Sequence, residues 1–176
     1  GPGEKDGIDY FYVTTEKFKQ MIEADELIEY AQYVKNYYGT PKAYVQQQLD
    51  LGKNVILEIE IQGALKIKKQ FPDTILLFVT APDAKTLRDR LVGRGTETQD
   101  VINARLARAC EESEGIENYD YLVVNDTVAH GVEVIHQLIG DERSGNTAQN
   151  AAYRVSSNID FINNMKEELV SFSKGE

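Results

Sequence analysis

The sequence predicts an α/β fold with a parallel sheet, and three observations carry that prediction. Asn54–Ile61 (NVILEIEI), Thr74–Thr80 (TILLFVT) and Tyr121–Asn125 (YLVVN) are near-continuous apolar runs, the signature of strands covered on both faces. Helix-period segments separate them. Helix-capping residues and glycines punctuate the junctions.

Taken in order, residues 8–13 (IDYFYV) read as a short strand. Thr14 or Thr15 caps the helix that follows, with Glu16 in its first turn and Phe18, Met21 and Ile22 on one face. A second helix is expected over 40–51, with Thr40 at the N-cap, Pro41 at the first helical position and Gly52 at the end. Val45 and Leu49 are expected to point inward. After the strand at 54–61, helices are expected at 62–70, 83–93, 98–113 and 128–139, with Asp83 and Thr127 as caps and Gly140 as a stop. Residues 144–158 (SGNTAQNAAYRVSSN) are small and polar, which predicts a loop or mobile linker. An amphipathic helix closes the chain at 159–172.

With 176 residues, 41% hydrophobic and 27% charged, the chain is long enough for one domain with a real core. Its formal charge of −10 argues against general nucleic-acid affinity and against anionic membranes, while a local basic site for an anionic substrate remains compatible. Cys110 is the single cysteine, so no intrachain disulfide framework is expected, and it falls in a helical apolar pattern. No apolar run approaches the ~20 residues of a membrane span. The opening does not read as a signal peptide, so the expected address is the cytoplasm.

Five of the ten tyrosines fall in residues 30–44 (YAQYVKNYYGTPKAY). Such a cluster is either a half-buried surface patch or a pocket wall that offers hydroxyls to a polar ligand. In the 54–61 run, Val55, Leu57, Ile59 and Ile61 share one face, and Glu58 and Glu60 share the other, roughly 7 Å apart. Two carboxylates on one face of a buried strand call for a cationic partner: arginine, lysine or a metal such as Mg²⁺. Arg88, Arg90, Arg94, Arg105 and Arg108 gather five of the seven arginines of an acidic chain. They form either a solvated basic face or a lid over phosphates, since Gly93 and Gly95 interrupt the helix around Arg94. A Gly-x-x-x-x-Gly-Lys-Ser/Thr phosphate loop is not found, and His130 and His136 lack partners at metal-ligand spacing.

Together these stretches resemble the guanylate kinase family. GEKDGIDYFYV, LIEYAQYVKNYYGT, VILEIEIQGA, RLVGRGTET, INARL and YDYLVVND match its motifs in order, over about residues 3–139. The resemblance implies a P-loop NTPase-like parallel sheet with helices on both faces, a small GMP-binding subdomain and a helical lid. Its segments here would be 1–53 for GMP binding, 54–93 and 116–143 for the core, 94–115 for the lid, and 144–176 for a polar linker and C-terminal helix. It implies ATP-dependent phosphorylation of GMP with Mg²⁺, by a monomer or homodimer. Tyr10 and Tyr38 would give hydroxyls to the GMP phosphate, Glu29 and Thr40 would read guanine, and Gly39 and Gly63 would belong to the same pocket. Glu58 and Glu60 would serve Mg²⁺ and the GMP side. Arg94 and Arg105, with Arg90, would clamp phosphates, and Asn125 would lie near the adenine of ATP.

The match has departures. Glu58 and Glu60 stand where the family more often has Asp, and Lys35 replaces a common glycine. The family's opening strand and phosphate loop have no counterpart, so the chain is expected to be a fragment of a whole enzyme, without ATP turnover of its own. Two alternatives stand beside the kinase reading: a guanylate-kinase-like binding module without catalysis, and a kinase for another nucleoside monophosphate.

Overall fold

The computed structural model describes residues 12–33, 35–93 and 95–175. The chain divides into two compact units, the first ending at Gln70 and the second running from Phe71. Most of the strand expected at 8–13 lies outside the described residues, as do Tyr10 and Arg94.

The first unit opens with helix α1, Thr15–Glu23, whose N-cap Thr14 accepts from Lys17 N at 3.1 Å. Phe18 is its buried residue. Strands β1, Leu27–Tyr33, and β2, Asn36–Pro41, then pair antiparallel, with Glu29 opposite Thr40 and Tyr30 opposite Gly39. A register shift falls between Leu27 and Glu29. This hairpin takes in Tyr30, Tyr33, Tyr37 and Tyr38 of the tyrosine-rich stretch and displaces the expected helix start. Helix α2 is Lys42–Asp50, its N-cap is Pro41, and Thr40 belongs to β2. Val45 is buried as expected, but Leu49 is 49% exposed.

Residues 53–60 form neither strand nor helix. The strand expected over 54–61 is therefore corrected, and Ile61 instead opens helix α3, Ile61–Gln70. The physical reason is that a strand exists only through a ladder, and no described strand pairs with this segment. Its period of two survives nonetheless: Val55, Leu57 and Ile59 are half-buried, while Ile56, Glu58 and Glu60 are exposed.

In the second unit, β3, Leu77–Thr80, and β4, Tyr121–Val124, pair in parallel, residue 77 against 121 through 80 against 124. Helices cover both faces, as the apolar runs require. Tyr121 and Val123 pack on Val134 and Leu138 of helix α6, Val128–Ser144. Leu122, pointing the other way, packs with Ile116, Val155 and Ile162. A third cluster joins Ala84 of helix α4, Ala84–Val92, to Met165 and Leu169 of helix α7, Ile159–Ser173, with Cys110 of helix α5, Gln99–Ser113, against it. The sheet is less enclosed than expected on the β3 side, where Ile75 and Val79 are 41% and 48% exposed.

Asp83 and Thr127 cap their helices as expected, and Thr98 caps α5 in the same way. Gly140 does not stop α6, which runs on to Ser144 and ends at Gly145 in the left-handed conformation. Residues 144–158 are not a mobile linker. Thr147–Tyr153 and Val155–Ser157 are 3₁₀ turns, and Asn150 and Val155 are buried. The Asn150 amide donates to Leu138 O at 3.4 Å and to the Tyr121 hydroxyl at 3.5 Å. Tyr121 in turn donates to Glu142, and its burial first, then this bond, pushes its phenol above the ordinary range.

Candidate functional site

The first unit builds one cluster around its hairpin. Alternation sends Tyr38 and Thr40 to one face of β2 and Gly39 to the other. Register sets Thr40 opposite Glu29, and the Thr40 hydroxyl donates to Glu29 Oε1 at 2.9 Å. Both residues are half-buried, and Tyr38 is 46% exposed.

Gly39 packs closely on its own side. A Cβ there would lie 3.0 Å from the Glu29 carbonyl oxygen, 3.0 Å from Phe18 Cζ and 3.2 Å from Leu27 Cδ1. Phe18 also stacks at a tilt on Tyr37, with ring centroids 5.4 Å apart. Gly63, in the first turn of α3, brings that helix close as well, since a Cβ on it would be 4.0 Å from Glu29 Cβ and 3.6 Å from Ile59 Cδ1. Glu29, Thr40 and Gly63 thus come together. Glu58 and Glu60 are placed on the exposed side of the 53–60 run, and among the described residues no group of three acidic, His or Cys side chains could hold a metal by itself.

The second unit builds a basic-rimmed cavity of about 310 Å³. Phe78, Leu87 and Leu169 are among its apolar walls, and Arg90, Arg105 and Asn125 lie on its lining. Arg90 Nη1 donates to Asn125 O at 3.0 Å and Nη2 to Asp126 O at 3.4 Å, which ties α4 to the end of β4. Arg105 Nη1 donates to Leu91 O at 2.7 Å and lies 3.4 Å from Glu97 Oε1. Arg108 pairs with Glu112, and Arg88 covers the Phe172 ring at 4.5 Å, a packing role. Asn125 Oδ1 is buried without a hydrogen-bond partner among the described residues. Beside it, His130 Nδ1 lies 2.8 Å from Asp126 Oδ1. That contact, with the Thr127 amide, holds the Asp126 carboxyl below the usual range.

Sequence reasoning passed over two of these features. The Gly39 approach is invisible without the hairpin register. Glu97, which touches both Gly93 and Arg105, carries no local signal beyond its place between two helices.

Comparison with known proteins shows which family the chain belongs to. The family model described as guanylate kinase matches residues 1–142. The chain is 50% identical over 141 residues to the guanylate kinase of Oceanobacillus iheyensis, covering 80% of this chain and 68% of that one. It is 52% identical over 141 residues to the guanylate kinase of Streptococcus pyogenes serotype M3, covering 80% and 67%. Its fold is similar to a crystal structure of guanylate kinase from Anaplasma phagocytophilum, with a TM-score of 0.62 and 30% identity, over 81% of this chain and 69% of that one. All three of these relatives are guanylate kinases. The chain belongs to the guanylate kinase family. No described helix is long and apolar enough to cross a membrane.

Proposed function

We propose that this chain serves the ATP-dependent phosphorylation of GMP to GDP, and that its first unit supplies the guanine contacts. The observation that carries this reading is the 2.9 Å bond from Thr40 to Glu29. It fixes a half-buried carboxylate in one orientation. Guanine presents N1–H and N2–H₂ as adjacent donors, which such a carboxylate takes together. Adenine offers no such pair and would leave Glu29 unmatched, which is how a polar site rejects an analogue. Thr40 shares in the recognition, and Gly39 and Gly63 keep the walls close. Tyr38, with Tyr10, would give hydroxyls to the phosphate of GMP.

Arg105, Arg94 and Arg90 would hold the phosphates and neutralise charge as the γ-phosphoryl group moves in line from ATP to GMP. No covalent intermediate is needed, so catalysis is positioning plus electrostatics. Asn125, with its unpartnered Oδ1, suits the exocyclic amine of adenine. Glu58 and Glu60 would hold Mg²⁺ through one or two carboxylates, which leaves most positions to phosphate oxygens and water. Bound there, Mg²⁺ would neutralise phosphate charge.

A coupled ADP assay on the full-length protein carrying this sequence tests the reading. GMP should far exceed AMP, UMP and CMP as acceptor, and Glu29→Gln should erode that preference. Equal turnover of GMP and AMP, or an unchanged preference in Glu29→Gln, refutes it.

A further inference from the structure

We propose that Glu97 is a positioning residue that aims the Arg105 guanidinium, a role that rests on Arg105 being a phosphate ligand. Three observations lead to it. The turn from α4 into α5 begins at Gly93 with φ 73° and ψ −137°, a conformation open essentially to glycine. It also clears a seat for a side chain: a Cβ on Gly93 would lie 2.8 Å from Glu97 Oε1 and 3.3 Å from Oε2. The Glu97 carboxylate therefore lies close to the Gly93 backbone, in the space a side chain at position 93 would enter.

The Arg105 Nη1 group is held by two acceptors of different origin. Leu91 O, at 2.7 Å, is a carbonyl in the last turn of α4, where helix carbonyls lack intrahelical donors. Glu97 Oε1 lies 3.4 Å away. The Arg105 side chain is 42% exposed, against 23% for Glu97, so the fork is fixed at one nitrogen while the side chain still reaches ligand.

Glu97 Oε2 is buried and has no partner among the described residues. A buried carboxylate oxygen in that state favours a further donor. Guanidinium and carboxylate share a bidentate geometry, so Oε2 is a second acceptor available to the Arg105 fork. Glu97 thus defines the direction from which the guanidinium meets a phosphate, and removes the freedom of a long side chain before the reaction starts.

A mutant cycle on the full-length protein tests this. Glu97→Gln, close in shape, should lower kcat by roughly tenfold with the KM for GMP nearly unchanged, a size typical of coupled neighbours. In an Arg105→Ala background the same change should alter kcat less than about twofold, because the group it aims is gone. Added guanidinium ion should restore part of the Arg105→Ala activity when Glu97 is present and none in the double variant. Additive losses, or rescue that ignores Glu97, overturn the proposal while leaving Arg105 as a phosphate ligand. If Arg105→Ala keeps full kcat, the phosphate role of Arg105 falls and the proposal falls with it. Thermal melts of each variant separate these outcomes from misfolding.

Discussion

Replacing Gly39 by Ala should disable the first unit out of proportion to one methyl group. The added Cβ would meet the Glu29 carbonyl oxygen and Phe18 Cζ at 3.0 Å each, and Leu27 Cδ1 at 3.2 Å. The two side-chain atoms can yield by a few tenths of an ångström. The carbonyl oxygen cannot yield without moving β1, because it belongs to the hairpin backbone. Overpacking of this kind costs about 1–3 kcal/mol, which for a chain of this size lowers Tm by roughly 2–4 °C per kcal/mol. The displaced strand carries Glu29, so its 2.9 Å bond from Thr40 lengthens and the proposed guanine contact loosens. Calorimetric titration with GMP and a thermal melt on the same preparation are the assay, with Gly52→Ala as the contrast. A Cβ on Gly52 meets nothing within 4 Å, and its cost is only that of a φ of 77°. Gly39→Ala should weaken GMP binding where Gly52→Ala does not. Unchanged GMP affinity and Tm in Gly39→Ala would refute the close-approach argument.

Two further outcomes follow from packing and charge in the second unit. Leu169→Ala removes a side chain 1% exposed in the cluster that joins α7 to α4 and α5, and should cost about 3 kcal/mol by denaturant titration, whereas Val170→Ala, at a residue 42% exposed, should cost far less. Lys166 donates to Glu117 and holds its carboxyl below the ordinary glutamate range, so this pair adds stability above about pH 4.3 and loses it as pH falls through the lower folded value; Glu117→Gln should flatten that part of the acid limb in a pH series of melts.

The second unit was largely legible in the sequence, because its signals are local. Asp83, Thr98 and Thr127 cap their helices through side chains three residues from the amides they accept from. The β4 run is buried on both faces as its composition requires. The first unit was less legible. The 30–44 stretch carries no Asn-Gly or Asp-Gly hairpin signal, so Thr40 reads as a helix cap. The 54–61 run reads as a strand by composition, yet a ladder is a non-local property. Residues 144–158 were misread because small polar residues suggest a linker until Asn150 is seen bonded to Leu138 and Tyr121. The guanine-reading role proposed for Glu29 and Thr40 comes from family resemblance, and the structure adds the bond between them. Glu97 carries no local signal, since its partner Arg105 lies on the next helix.

The family model's match ends at residue 142, but the second unit does not. Val155 and Ile162 close over Leu122, and Met165 and Leu169 close over Ala84. Anyone trimming the gene at the edge of the recognisable family would strip the wrapping from the centre of this unit, and should expect aggregates in place of a minimal domain. Where inheritance is visible and where cooperative folding ends are, in this polypeptide, different borders.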